Sequence, residues 1–585
     1  MVKVSDVITN FLIQNEIEVV FGIIGSANAQ IFNSIQNCGS IKLIPVHHEQ
    51  AAIMAMGAYY RTTGKQAVAL VTAGGGSSNA LTGVLSNWAD SIPGIIISGQ
   101  EQSYYIEEYS DMRMYGVQGY DSEQLYKTCT KLSKRVTSQN VYDTFQDAFR
   151  ITSEGRPGPV FIEVPFDVQG QMVERLEIVP HVKTSYDFKE TENATNLILN
   201  EIRSSKRPSI IAGHGIKLAG VEKQFREFLS QTNIPTTLTW SSVDLLSEDD
   251  PNNYGRAGVQ GQRASNFIVQ NSDLLIVLGS RLSLLQTGYS RKEFAPNAKI
   301  IHVDIDKTET KKFNGVNLNI DVGPLIHSLL KETKSIEIDS EWLDYCKSVR
   351  QRYPKLLDQH LQDPTNSYTF IDTLSAKLNE NYTIVTDMGT ALLSGFYGFK
   401  VKKNQKMFTS LGLGEMGYGL AAAVGAGFGD NPVLCLNCDG GMMMNLQELQ
   451  TIKTNNLPVK IVIFNNDGYL MIKHTQNMMF GGQRTCVDTN TGLTLPDYKK
   501  VADAFGYEYF TEDKLDDFLS YEGQAFLEVF MSPEQEFIPK VRGLKNSDNK
   551  ITPGLLEDMY PLLPLEEVES NMIVGMNERS KTFMR

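Results

Sequence analysis

Two polar residues that close apolar runs are spaced for chemistry. Asp439 ends the run VLCLNCDGG (433–441), and Asn466, twenty-seven residues later, ends VKIVIFNND (459–467). If both runs are parallel strands joined by a crossover helix, their carboxylate and amide oxygens reach one crevice at the carboxyl edge of a sheet. These are hard donors suited to Mg²⁺ or Ca²⁺, and magnesium normally keeps places for phosphate oxygens. Gly440 and Gly441 open the intervening helix, where backbone N–H groups can approach a phosphate. Either half alone also reads as an ordinary tight turn. A third residue, Glu49, follows the apolar run IKLIPV (41–46); by itself it also reads as a helix-opening glutamate favoured by the dipole.

The elements that must position these residues recur along the chain. Short β-branched runs end in Gly or polar residues and precede helix-like stretches: VVFGIIG, AVALVTAGGG, GIIISGQ and VFIEVP; then SIIAGHG, LLIVLGS and IIHVDID; then TIVTDMG, VLCLNCDGG, VKIVIFNND and AFLEVF. Continuous apolar runs predict parallel strands buried on both faces, and their alternation with helices predicts α/β units. The fold class expected is three consecutive doubly wound parallel-sheet domains. Their spans are 1–175, 190–335 and 365–545, with a tail at 546–585 that reads as a surface wrap, a lid or a dimer clasp. The outer blocks share a closing phrase, GPVFIEVP (158–165) and GQAFLEVF (523–530), which suggests two similar domains flanking a third.

Composition sets bounds. The chain has 585 residues, 41% hydrophobic and 21% charged, with a formal net charge of −14. This is globular, and too acidic for a nucleic-acid footprint. Six scattered cysteines fit reduced thiols and a cytoplasmic location, and the CxxC at Cys435 and Cys438 has no second pair at zinc spacing. The N-terminal stretch does not read as a signal peptide, and no apolar run is long enough to span a membrane.

With these residues in view, segment 438–468 resembles the thiamine-diphosphate motif, Gly-Asp-Gly followed at a distance by Asn-Asn. Cys438 replaces the leading Gly and Gly441 a common Ser. HHEQAAIMAMGAYYRTTG (47–64), TAGGGSSNALTGVLSNWADSIPGIIISGQ (72–100) and LGLGEMGYGLAAAVGA (411–426) are similar to the acetolactate synthase branch of that family. The resemblance covers about residues 1–540. It implies that Asp439, Asn466 and the Gly468 carbonyl hold Mg²⁺ on the diphosphate, with Gly389 and Thr390 as further diphosphate contacts. It implies that Glu49 activates the cofactor, which the Gly414 carbonyl and Met416 support. His48 and Gln118 (in GVQGYD) occupy positions similar to active-site residues of the branch, and His47 replaces a usual Arg. Gly213, Gly215, Gly279, Arg281, Asp304 and Asp306 resemble the flavin-binding middle domain, so FAD is a further expected cofactor; related middle domains have lost it. Glu49 and the metal residues come from different subunits in this family, which implies a homodimer or homotetramer.

Two departures bear on substrate. LSLLQ (282–286) replaces a charged stretch, and Thr475 stands where the branch has a Trp shaping the acceptor pocket. The expected reaction is decarboxylation of a 2-oxo acid, pyruvate first, with transfer of the remaining acyl unit to a carbonyl acceptor: a 2-oxo acid, ketone or keto-sugar. Three alternatives stand beside it. One is a decarboxylase that releases aldehyde, one a catalytically retired binding or assembly protein, and one a nicotinamide dehydrogenase, for which no GxGxxG opens a block.

Overall fold

The computed structural model describes residues 1–179, 188–333 and 336–585. Parts of the boundary expected near 170–190, and the expected end of the middle domain at 335, lie outside the described residues. The apolar runs become parallel strands. In the N-terminal sheet these are β1 (Val19–Gly22), β2 (Lys42–Pro45), β3 (Val68–Val71), β4 (Gly94–Gln100), β5 (Ser133–Arg135) and β6 (Pro159–Pro165). The middle sheet holds β7 (Pro208–Ala212), β8 (Thr236–Leu238), β9 (Leu274–Leu278), β10 (Lys299–Val303) and β11 (Val316–Leu318). The C-terminal sheet holds β12 (Thr383–Thr386), β13 (Lys406–Phe408), β14 (Val433–Cys438), β15 (Val459–Asn465), β16 (Glu508–Thr511) and β17 (Ala525–Phe530). Three α/β sheets of six, five and six strands result.

The outer sheets repeat one topology. The N-terminal order is β2-β1-β3-β4-β6-β5 and the C-terminal order β13-β12-β14-β15-β17-β16, parallel throughout. The shared phrase lands on β6 and β17, the same place in each sheet.

The chain forms two compact units. One gathers Met1–Thr184, Asn381–Leu392 and Lys406–Pro533, and so holds both outer sheets. Inside it, helix α1 (Glu49–Thr63) packs on the Ala- and Gly-rich helix α3 (Tyr418–Ala426), where every residue is buried. Helix α2 (Gly75–Asn79) lies between them in sequence, and α4 (Asp439–Met442) and α5 (Leu470–Phe480) follow. Gly425 runs so close to α1 that a Cβ there would lie 1.9 Å from the Ala55 carbonyl oxygen. A glycine inside a helix costs about 0.5–1 kcal/mol, and here it admits a backbone contact that no other residue allows.

The other unit gathers Ser185–Glu380, Leu393–Gln405 and Glu534–Arg585. The 546–585 stretch therefore clusters with the middle sheet. Arg263 donates to the carbonyls of Met559 and Pro561, Asn266 to that of Leu556, and Asn271 to that of Asn571. Cys435 and Cys438 lie three apart on β14, so they face opposite sides of the sheet. Both are buried, free thiols.

Candidate active site

Asp439 sits where β14 runs into α4. One carboxylate oxygen accepts the Gly440 N–H at 2.7 Å; the other accepts those of Asn466 at 2.9 Å and Gly468 at 3.0 Å. The Tyr498 hydroxyl donates to its carbonyl. Burial pushes the Asp439 carboxyl up to about 6, against the pull of these three N–H groups. Beside it, the Asn466 side-chain nitrogen donates to Thr390 Oγ1 at 3.4 Å, while its Oδ1 is buried without a protein partner. A buried acceptor left unsatisfied costs about 1–3 kcal/mol. A divalent cation would satisfy that oxygen and favour the ionised form of Asp439, so the residues present fit a Mg²⁺ site.

The glycines form the matching cradle. A Cβ on Gly440 would meet the Tyr469 ring at 2.3 Å, and one on Gly441 would meet Asp387 Oδ2 at 2.7 Å. Gly468 has φ +126°, and a Cβ there would lie 1.9 Å from the Val487 carbonyl oxygen. The buried Lys473 ammonium on α5 donates to the carbonyls of Asn466 at 3.4 Å and Asp467 at 3.1 Å.

The LGEMG loop closes over this edge. Gly414 adopts φ +77°, and the Met416 methyl lies 3.6 Å from where a Cβ on Gly440 would sit, so the two motifs meet. Asp387, at the end of β12, takes the Gly417 N–H on both oxygens at 3.0 and 2.9 Å. Burial pushes its carboxyl up to about 7. Gly389, with φ +84°, approaches the Cys438 sulfur, whose thiol donates to the Met388 carbonyl at 3.2 Å.

The same loop is tethered from the N-terminal domain. Asp90 accepts the N–H groups of Leu411 at 3.1 Å and Gly412 at 2.8 Å and pairs with Arg61 at 2.5 Å, both side chains almost fully buried. Arg61 also donates to the Thr409 carbonyl at 3.0 Å. Sequence reasoning missed Arg61, Asp90 and the role of Asp387. Their one signal was charge set among otherwise apolar or small residues.

Glu49 opens α1 and is buried. Its Oε2 accepts from Asn79 at the end of α2 at 3.0 Å, and its Oε1 lies 3.3 Å from where a Cβ on Gly76 would fall. Among the described residues no hydrogen bond links this carboxylate to the Asp439–Asn466 group. His48 is the N-cap of α1, its Nδ1 accepting the Gln50 N–H at 3.2 Å. His47 instead reaches the C-terminal domain, with its N–H on Glu448 and its ring against Thr451. Gln118 is exposed in a loop, its N–H on Glu101 at 3.0 Å and its amide on the Ala73 carbonyl at 3.2 Å. Thr475 is exposed on α5, its hydroxyl on the Met471 carbonyl at 3.2 Å.

In the other unit, Gly213, Gly279, Arg281 and Asp304 follow the neighbouring strands β7, β9 and β10 and so share one sheet edge. A Cβ on Gly213 would sit 2.2 Å from the Gly279 carbonyl oxygen, so this glycine already serves a crossing of the chain with itself. The Arg281 carbonyl accepts from Lys312 at 2.7 Å, and Asp304 accepts the Asp306 N–H at 2.9 Å. Leu282 is buried, whereas Leu284 and Leu285 are exposed.

Comparison with known proteins matches three family models in chain order. They are the thiamine pyrophosphate enzyme N-terminal TPP binding domain over residues 2–125, the central domain over 195–329 and the C-terminal TPP binding domain over 387–529. The acetolactate synthase isozyme 1 large subunit of Escherichia coli (strain K12) is 31% identical over 551 residues, covering 92% of this chain and 95% of that protein. Isozyme 2 from the same strain is 30% identical, covering 91% and 96%. A probable acetolactate synthase large subunit of Methanococcus aeolicus is 31% identical, covering 84% of each.

Proposed function

The chain belongs to the thiamine pyrophosphate enzyme family, on its acetolactate synthase-like branch, and from that premise we propose a Mg²⁺-dependent carboligase that takes pyruvate as donor. The observation that carries the metal is the buried, unpartnered Asn466 Oδ1 beside the buried Asp439 carboxylate. Asp439, Asn466 and the Gly468 carbonyl would hold Mg²⁺. The N–H-lined turn at Gly440 and Gly441, with Gly389 and Thr390, would take the diphosphate.

Thiamine diphosphate, when bound, supplies a nucleophilic carbon toward a 2-oxo acid and an electron sink for the pair left behind when CO₂ departs. The rest of the site is this chain's own work. Glu49, kept in place by Asn79, presents a carboxyl group to the pyrimidine ring and holds the proton that sets its tautomer. Met416, lodged against Gly440, props the bound conformation. Asp387 and Asp90 fix the loop that carries Gly414 and Met416.

The exposed apolar residues Leu413, Met443, Met444 and Ile472 near the Asp439 group support a site completed by a second copy, in a homodimer or homotetramer. Thr475 in place of a bulky aromatic supports an acceptor larger than a second pyruvate, such as a ketone or keto-sugar. For FAD, the support is the shared edge of Gly213, Gly279, Arg281 and Asp304; a flavin absorption band in the purified protein tests it.

A proton NMR time course with Mg²⁺, thiamine diphosphate and pyruvate tests the main reading. Acetolactate or acetoin is the expected product. Acetaldehyde alone would replace the carboligase with a decarboxylase, and untouched pyruvate, both alone and with ketone or keto-sugar acceptors, would overturn the donor.

A further inference from the structure

The two outer sheets share more than strand order. Glu163 on β6 and Glu528 on β17 occupy the same position in the repeated phrase, and both are buried. Their register is the same: Glu163 pairs with Ser98 on β4 and Glu528 with Ile463 on β15, the corresponding fourth strands. Two residues further along those strands stand Gln100 and Asn465, the last residue of each.

Each glutamate grips the amide at that strand end. Glu528 Oε1 accepts from Asn465 Nδ2 at 2.6 Å, and Glu163 Oε2 accepts from Gln100 Nε2 at 2.8 Å. Fixing the amide nitrogen fixes where the amide oxygen points. In both halves that oxygen accepts a main-chain N–H just beyond the strand: Asp467 at 3.1 Å for Asn465, and Glu101 at 3.0 Å for Gln100.

From there the relays reach different targets. In the C-terminal half, the Asp467 turn, at φ +54°, aims the N–H groups of Asn466 and Gly468 at Asp439. In the N-terminal half, Glu101 accepts the Gln118 N–H, and Gln100 also donates to the Tyr120 carbonyl at 2.9 Å, so the GVQGY loop is held at its centre and at its C-terminal end.

We propose that Glu163 and Glu528 are a matched pair of positioning residues, each orienting through a strand-end amide the loop its half contributes to the active site. The inference rests on the cofactor reading above. The pair differs in how the charge is met. Glu163 is paired with Arg135 and accepts from Ser122, whereas Glu528 is held by the neutral donors Asn465 and Tyr509, the latter at 2.6 Å.

The test is calorimetric titration of the full-length protein with Mg²⁺ at saturating thiamine diphosphate, alongside steady-state kinetics on pyruvate. Glu528→Gln offers Asn465 a scrambled donor–acceptor pattern at constant shape. It is expected to weaken Mg²⁺ binding roughly 10- to 100-fold, the usual effect of losing a partner that orients a metal ligand, and Glu528→Asp to recover part of the loss. Glu163→Gln is expected to leave Mg²⁺ affinity unchanged and to raise KM for pyruvate. If Glu528→Gln does not fold, Tyr509→Phe frees one oxygen of Glu528, and a several-fold loss of Mg²⁺ affinity is the expected result. Wild-type Mg²⁺ affinity in folded Glu528→Gln, or in Tyr509→Phe where that is the variant measured, overturns the inference, as does a loss of Mg²⁺ affinity in Glu163→Gln. If the wild-type protein itself binds no Mg²⁺ with thiamine diphosphate, the cofactor reading falls and takes this one with it.

Discussion

The N-terminal and C-terminal sheets have one strand order and one parallel register, yet they present opposite chemistry. The carboxyl edge of the first offers a buried acid, Glu49, held by a neutral amide. That of the second offers a carboxylate whose lone pairs are largely taken by main-chain N–H groups and an amide oxygen with no partner. The scaffolds are interchangeable in outline; on the function proposed above, a few residues after each strand decide whether the edge handles a proton or a metal. The difference teaches that function here is written in the turns, as expected for sites grafted on a recurrent fold.

Experiments can break or sharpen this contrast. The largest effect is expected from Asp439→Ala, which removes the carboxylate from the metal edge. Turnover should fall roughly a thousandfold or more with Mg²⁺ affinity, as calorimetry and product formation would both register. Glu49→Gln should separate the halves. Cofactor affinity stays near wild type while kcat falls roughly 100- to 10,000-fold, and a parallel loss of affinity would blur the division of labour.

Asp90→Ala strands the buried Arg61 guanidinium and releases the LGEMG loop. Breaking a buried pair costs about 3–5 kcal/mol, visible as a lower urea midpoint. A smaller effect is expected from pH. Asp387 holds its proton up to about 7 when folded, against an ordinary carboxylate value of about 4 when unfolded. The folded state thus binds more protons in that interval, and stability of the cofactor-free protein falls as pH rises from about 4 to about 7, by on the order of 4 kcal/mol. Asp387→Asn should flatten that slope. The smallest change is expected from Thr475→Trp: a narrower acceptor range at near-normal pyruvate consumption, measured by product analysis with paired acceptors.

Most of the fold was legible because parallel strands buried on both faces leave unbroken apolar runs, and Gly, Asp and Asn mark their carboxyl ends. Asp439, Asn466 and Glu49 were legible for the same reason: each stands at the end of such a run or within three residues of it. Arg61 and Asp90 were not. They lie 29 residues apart in α1 and just past a second helix, and their importance arises from a loop more than 300 residues away. The packing of α1 on α3, closest where Gly425 meets Ala55, helps bring them there. Glu163 and Glu528 were half visible. The repeated phrase was apparent, but what the glutamates hold depends on register across two strands, which periodicity does not reveal. His48 adds a role that spacing does not reveal: its Nδ1 caps α1.

The discontinuous unit carries a consequence for biosynthesis. The helix Arg263–Asn271 is wholly buried, and its polar groups find partners in residues 556–571. Those residues leave the ribosome nearly 300 positions later, about 15–60 s at ordinary elongation rates. Until then Asn266 and Gln270 keep only their nearby partners, Gly258 for the first and Glu293 and Ala295 for the second, and Arg263 lacks both of its carbonyl acceptors. The middle domain, second in the gene, is therefore the last to be completed. A premature stop between residues 534 and 555 would leave both outer sheets whole beside a middle domain that lacks these partners.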